Sequence, residues 1–139
     1  MSESILPIPA FVASLAPRDL GDARRLVALV PERANAIEMR LDHAPDLPVA
    51  QLRAFDARPL IATYRTRAEG GDFSGPAEDY RLLVSRAYEA GATVDVEHAS
   101  GLLADAAQMP DRRRVIASHH SVFSIPSDSE ARLEAMRAT

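Results

Sequence analysis

The sequence contains no cysteine and no lysine, and each absence removes a class of chemistry. Without thiols there is no disulfide, no thiolate nucleophile and no cysteine-based zinc site, which fits a reducing compartment. All 16 basic residues are arginine, so no side-chain amine can form a Schiff base and only the α-amino group is left for it. Arginine serves surface solubility as well as lysine does, so the bias itself reads first as composition. Long apolar runs are also missing. Nothing approaches the roughly 20 residues of a membrane span, and Met1-Ser2-Glu3-Ser4 lacks the basic start of a signal peptide. The expectation is a soluble, cytoplasmic chain with no membrane partner. A net charge of -4, with acids and bases interspersed, offers no basic face to nucleic acid. What is present is 47% hydrophobic residues in a chain of 139. That suffices for one core, and it predicts a single domain over residues 1–139.

Apolar periodicity predicts a regular alternation of strands and helices. Strands are expected at Phe11 to Leu15, Ala36 to Leu41, Leu60 to Tyr64, Thr93 to Glu97 and Arg114 to Ser118. Between them, Pro17 to Val30 carries Leu20, Ala23, Val27 and Val30 on one helical stripe, and Pro31 ends it. A short helix is expected over Gln51 to Phe55. The clearest helix has Pro76 at N1, Glu78 in its first turn, the stripe Tyr80, Leu83, Val84 and Ala87, and Gly91 beyond its end. Leu102 to Ala107 reads as a weak helix, and Ser127 with Glu130 reads as a capping box opening a last one.

Five strand-helix units imply a parallel sheet with right-handed crossovers. A five-stranded doubly wound sheet fits the length, whereas a complete (β/α)8 barrel needs about 200 residues or more. The polar residues decide for part of a barrel. Glu38, Arg40 and Asp42 share one face of the second strand, Thr63 and Arg65 of the third, Asp95 and Glu97 of the fourth, Ser118 and His120 of the fifth. Such charges suit the inward face and mouth of a TIM barrel, but helices would bury them on either face of a doubly wound sheet. The fold expected is therefore a partial (β/α)8 TIM barrel of about five units. Its first and fifth strands would keep free edges, which predicts a homo-oligomer or a complementing half-barrel chain.

Several of these polar residues point to a site. Thr63-Tyr64-Arg65-Thr66-Arg67-Ala68-Glu69-Gly70-Gly71 puts arginine, glutamate and two glycines where the third strand ends. A guanidinium and a carboxylate on a glycine-hinged loop can recognise a polar, anionic small molecule. The same residues could instead form a loop salt bridge between Arg65 and Glu69, and Glu38-Met39-Arg40-Leu41-Asp42 could be a structural ion-pair ladder. Glu69 with His120 is more pointed, because a carboxylate hydrogen-bonded to imidazole fixes its tautomer for general acid-base work. His43 and His98 lie just past strand ends, but no metal-ligand spacing such as His-Glu-x-x-His occurs, and no metal is expected.

Taken together and in order, these segments resemble the type I 3-dehydroquinate dehydratase family. The resemblance rests on Val12-Ala13-Ser14-Leu15, Ile37-Glu38-Met39-Arg40-Leu41-Asp42, Thr63-Tyr64-Arg65 through Glu69-Gly70-Gly71, Val94-Asp95-Val96-Glu97 and Val115-Ile116-Ala117-Ser118-His119-His120. It runs from about Phe11 to Met136. It implies dehydration of 3-dehydroquinate to 3-dehydroshikimate without a cofactor: a lysine forms an imine with the substrate ketone, a histidine removes the α-proton, and the neighbouring hydroxyl leaves as water. His120 corresponds to that histidine and Glu69 to its partner. Ser14, Glu38, Arg40 and Arg65 correspond to substrate-binding positions. His119, one residue earlier on a strand, is expected to point away and serve structure. Ser121-Val122 and Ile125-Pro126 depart from the family's Asp-Phe and Thr-Pro. The family's lysine lies on a sixth strand, with further arginine, serine and glutamine positions later, and this sequence has nothing to map onto them. The resemblance thus also admits a non-catalytic binding or interaction module.

Overall fold

The computed structural model describes residues 5, 6, 9–125 and 127–138. The expectations attached to Met1 to Ser4, to Pro126 and to Thr139 lie outside these residues. Five parallel strands form one sheet: β1 (Val12–Leu15), β2 (Ala36–Arg40), β3 (Leu60–Thr63), β4 (Thr93–Glu97) and β5 (Val115–Ser118). Each agrees with its sequence expectation to within a residue at either end, and Leu41 N–H still donates to Thr63 O at 2.8 Å beyond β2. The spatial order is β1-β2-β3-β4-β5. A doubly wound sheet reverses its strand order at a switch point, whereas a barrel adds every strand on the same side of the last. Sequential order without reversal is the signature of part of a barrel.

The helices carry the corrections. Helix α1 (Leu20–Val27) starts after Pro17 because Asp19 caps it, its Oδ1 accepting the Asp22 N–H at 2.7 Å. Helix α2 (Val49–Arg53) starts before Gln51, since the Pro48 carbonyl accepts from Gln51 and Leu52 and so opens the turn. Pro76 is the N-cap of α3 (Ala77–Glu89) rather than its first helical residue: its ψ of 161° is extended, and its carbonyl accepts from Asp79 and Tyr80. Gly91 follows with φ +92°, the left-handed stop that the sequence suggests. Helix α4 (Leu103–Ala106) is short. In α5 (Ser129–Arg137) the expected capping box does not form. Asp128 is the N-cap, and its carboxylate turns to Arg132 Nε at 2.8 Å instead of to a helix amide.

Helices and sheet bury one continuous core. Ala23 and Val27 of α1, Leu52 of α2, and Tyr80, Val84 and Ala87 of α3 pack with Met39, Leu60, Ala62, Val94 and Val96. Every residue of β3 and β4 is buried, while β1 alternates between exposed and half-buried and β5 is half-buried except at the exposed Ala117. Among the described residues, β1 pairs only with β2 and β5 only with β4. The open edges are thus the least covered parts of the sheet. No described helix is long and apolar enough to cross a membrane.

Candidate active site

The C-terminal strand ends carry hydrogen-bonded groups of polar side chains. Across β1, β2 and β3, Glu38 is held from both sides: Ser14 Oγ donates to its Oε2 at 2.6 Å and Thr63 Oγ1 to its Oε1 at 2.8 Å. Arg40 makes a two-pronged fork onto Asp42, Nε to Oδ1 and Nη2 to Oδ2, both at 2.9 Å. The ladder reading of this strand is therefore half right: Arg40 and Asp42 pair, and Glu38 does not join them. Burial pushes the Asp42 carboxyl up, but the Arg40 fork and the Asp72 N–H outweigh it and leave it below its ordinary value.

Beside this wall lies a buried ionic floor. Arg65 Nη2 reaches Asp95 Oδ2 at 3.0 Å, and Nη1 reaches Glu97 Oε2 at 2.9 Å, Ser118 Oγ at 3.1 Å and Asp95 Oδ1 at 3.2 Å. Ser118 Oγ in turn donates to Asp95 Oδ1 at 2.5 Å. Burial pushes the guanidinium down and the two carboxylates more than restore it, so Arg65 holds its proton more tightly than usual. The loop salt bridge between Arg65 and Glu69 is not made. Arg65 is spent on strand neighbours, which frees Glu69 for another partner.

The loop after β3 explains how Glu69 is presented. Thr66 is tied to Glu97, through its N–H to Oε2 at 3.1 Å and its Oγ1 to Oε1 at 2.6 Å. The chain then makes a tight turn over Arg67–Glu69, ended by Gly70 at φ +88°, and returns so that Phe73 N–H donates to Arg65 O at 3.0 Å. A Cβ on Gly71 would lie 2.1 Å from Arg65 O. The close approach that needs glycine here is therefore the loop's own backbone, and its product is a buried Glu69 aimed at the end of β5.

There Glu69 Oε1 accepts the His120 backbone N–H at 2.9 Å and lies 3.1 Å from His120 Nδ1. Bonding at Nδ1 leaves Nε2 for chemistry on a ring that is 45% exposed. His119 does not point away. The strand ends at Ser118, so period-2 alternation no longer applies, and His119 Nδ1 lies 3.8 Å from Glu69 Oε2. Both histidines therefore flank one carboxylate. Ser121, where the family pattern has aspartate, donates to the Ser124 carbonyl inside its own loop, so the residue after His120 does not hold it. An open recess of about 540 Å³ lies beside this corner, lined by His119, His120, Phe123, Ile125 and Arg132 among others.

The expected site residues thus fall into a Ser14–Glu38 wall with Arg40 at its rim, an Arg65 floor and a Glu69–His120 corner. Asp95, Glu97 and Thr66 share in the arrangement; the charged pair on β4 signals the first two, and the polar stretch after β3 contains the third. The arginine at position 132 had no comparable signal: its spacing from Asp128 shows a helix pair, but nothing local shows that it meets His119. Among the described residues, ligand atoms of Asp42, His43 and Asp72 come within 4.8 Å of one another. Both Asp42 oxygens are already committed to Arg40, however, so the group is a poor cation site.

Comparison with known proteins gives this geometry a setting. The chain is similar to the 3-dehydroquinate dehydratase of Methanothrix thermoacetophila, 33% identical over 136 residues covering 94% of this chain and 57% of the relative. It is also similar to that of Methanoregula boonei, 30% identical over 114 residues covering 77% of this chain and 52% of the relative. The chain thus spans about half the length of these curated relatives. Its fold superposes on the 3-dehydroquinate dehydratase structure from Enterococcus faecalis with a TM-score of 0.76 at 21% identity, over 93% of this chain and 61% of that one. A family model described as type I 3-dehydroquinase matches residues 11–139, almost the entire sequence. On that match and those identities, the chain belongs to the type I 3-dehydroquinase family.

Proposed function

We propose that these residues form the acid-base and hydroxyl-binding side of a 3-dehydroquinate dehydratase active site, within one partial barrel domain over residues 1–139. The observation that carries the reading is Glu69 Oε1 meeting both the backbone N–H and the Nδ1 of His120, at 2.9 and 3.1 Å. In this reading His120 carries its proton on Nδ1, and Nε2 removes the substrate's α-proton. The same nitrogen returns a proton to the departing hydroxyl, so a C–H and a C–O bond break, a C=C bond forms and water leaves. Ser14, Glu38 and Arg40 hold substrate hydroxyls. Arg65, the substrate-binding position implied by the family resemblance, has a second duty here: it neutralises the floor beneath the substrate.

The electron sink in this reaction class is an imine, and the sequence contains no lysine to form it. In this reading the amine comes from polypeptide outside these residues, which adds its strands to the open edges of β1 and β5. Continuous and separate polypeptides are both consistent with that requirement. The test mixes the chain with a polypeptide carrying the remaining three βα units of the Methanothrix thermoacetophila relative. The expected results are dehydration of 3-dehydroquinate by the mixture and, after borohydride, a covalent adduct on the added polypeptide alone. Turnover or an adduct with the 139-residue chain by itself would contradict the reading.

A further inference from the structure

Two buried polar atoms lack a hydrogen-bond partner among the described residues, Glu69 Oε2 and His119 Nδ1. They face each other at 3.8 Å. On the other side of the ring, His119 Nε2 lies 2.9 Å from Arg132 Nη1. A guanidinium has only donors to offer, so His119 Nε2 must accept, and a neutral imidazole that accepts at Nε2 carries its proton at Nδ1. That proton is aimed at Glu69 Oε2, which needs only to close by about 1 Å to a normal hydrogen-bond length. Arg132 is fixed in turn by Asp128, whose Oδ1 accepts its Nε–H at 2.8 Å.

We propose that His119 and Arg132 are positioning residues for His120, acting through Glu69, a role that rests on the acid-base function proposed above. Arg132 selects the Nδ1–H form of His119, and His119 holds the second oxygen of Glu69. The carboxylate is then gripped at both ends. It cannot rotate, so Oε1 stays on His120 Nδ1 and leaves His120 Nε2 facing the substrate side. No residue of α5 is fully buried; its two half-buried side chains are Met136, which packs against the core, and Arg132, which makes this polar contact. The helix is thereby coupled to the reacting histidine rather than merely covering the strand.

The test is a long-range proton–nitrogen NMR spectrum of the full chain with labelled histidine, which separates protonated from unprotonated ring nitrogens. At neutral pH, His119 and His120 are both expected with the proton on Nδ1. His119→Leu and Arg132→Met should each replace the single His120 pattern with a mixture of tautomers. His119→Asn, which can donate to Glu69 and accept from Arg132, should restore it, as should Arg132→Lys. An unchanged His120 pattern in both disruptive variants overturns the proposal, and so does a wild-type His119 protonated at Nε2. If His119→Leu fails to fold by its amide spectrum, Arg132→Met decides, because that side chain is 34% exposed on a surface helix. Failure of 3-dehydroquinate to bind would remove the dehydratase reading and leave these tautomer patterns untouched, so the two failures are distinguishable.

Discussion

The floor around Arg65 and the corner around Glu69 both bury a carboxylate beside a basic group, yet they are built in opposite ways. In the floor, Arg65 meets Asp95, Glu97 and Ser118 within the sheet, on β4 and β5, with side-chain exposures of 7%, 10% and 3% for the three charged groups. Glu69 sits on a loop, holds a half-exposed imidazole, and has one oxygen without a hydrogen bond among the described residues. A fully paired buried cluster fixes geometry. A buried carboxylate that immobilises one face of an exposed base leaves the other face able to react. In the function proposed above, the difference separates scaffold from chemistry within a single row of strand ends.

Breaking the floor should have the largest effect. Arg65→Met leaves Asp95 and Glu97 buried without their counter-ion and should cost about 3–5 kcal/mol of stability by denaturant unfolding. A loss below about 1 kcal/mol would mean that the cluster is not the scaffold described here. Because of that cost, Arg65 variants are unsuitable probes of substrate binding, and Glu38→Gln is the better one. Next is Gly71→Ala, which forces a methyl group against Arg65 O. Overpacking of this kind costs about 1–3 kcal/mol, and it should also displace Glu69, seen as a shifted His120 amide resonance.

Glu69→Gln keeps the volume and one acceptor, so its stability cost should stay near the 0.5–1.5 kcal/mol typical of a single hydrogen bond, about 1 kcal/mol. Activity of the complemented enzyme should fall far more, by up to roughly 10²–10⁴-fold, the usual worth of a general base such as the His120 that Glu69 positions. Equal losses of stability and activity would erase the distinction between floor and corner. The smallest effect is expected at Asp42. Its carboxyl lies below the ordinary 3.8 in the folded chain, so it stabilises the fold above that pH, and this contribution is lost as pH falls through the folded value. Asp42→Asn should therefore be the less stable variant at neutral pH, with the gap to wild type narrowing only below about pH 3.8, measured as unfolding free energy against pH.

Much of the floor was legible in the sequence. Period-2 alternation places Asp95 with Glu97 on one face of β4, and sequential βα units set that face beside Ser118 of β5. The corner was legible only in part. Glu69 and His120 are 51 residues apart, and their meeting depends on the turn closed by Gly70 and Gly71, whose path no periodicity records. His119 was misread because alternation was carried past the last residue of β5. Helix starts failed for a local reason: at Pro48, Pro76 and Asp128 a backbone carbonyl or a side-chain pair set the first turn, where composition pointed one or two residues away.

The central claim is that these strand ends form a substrate-facing half-site with His120 Nε2 open and Nδ1 held. It is tested most directly by titrating the labelled chain with 3-dehydroquinate while following the His120 ring nitrogens and the backbone amides. The account expects a saturable shift at His120 Nε2, with accompanying shifts at Ser14, Glu38 and Arg40, and a weaker response in Glu38→Gln. Shifts confined to the helices or to the opposite ends of the strands, or no shift at His120 at all, would contradict it.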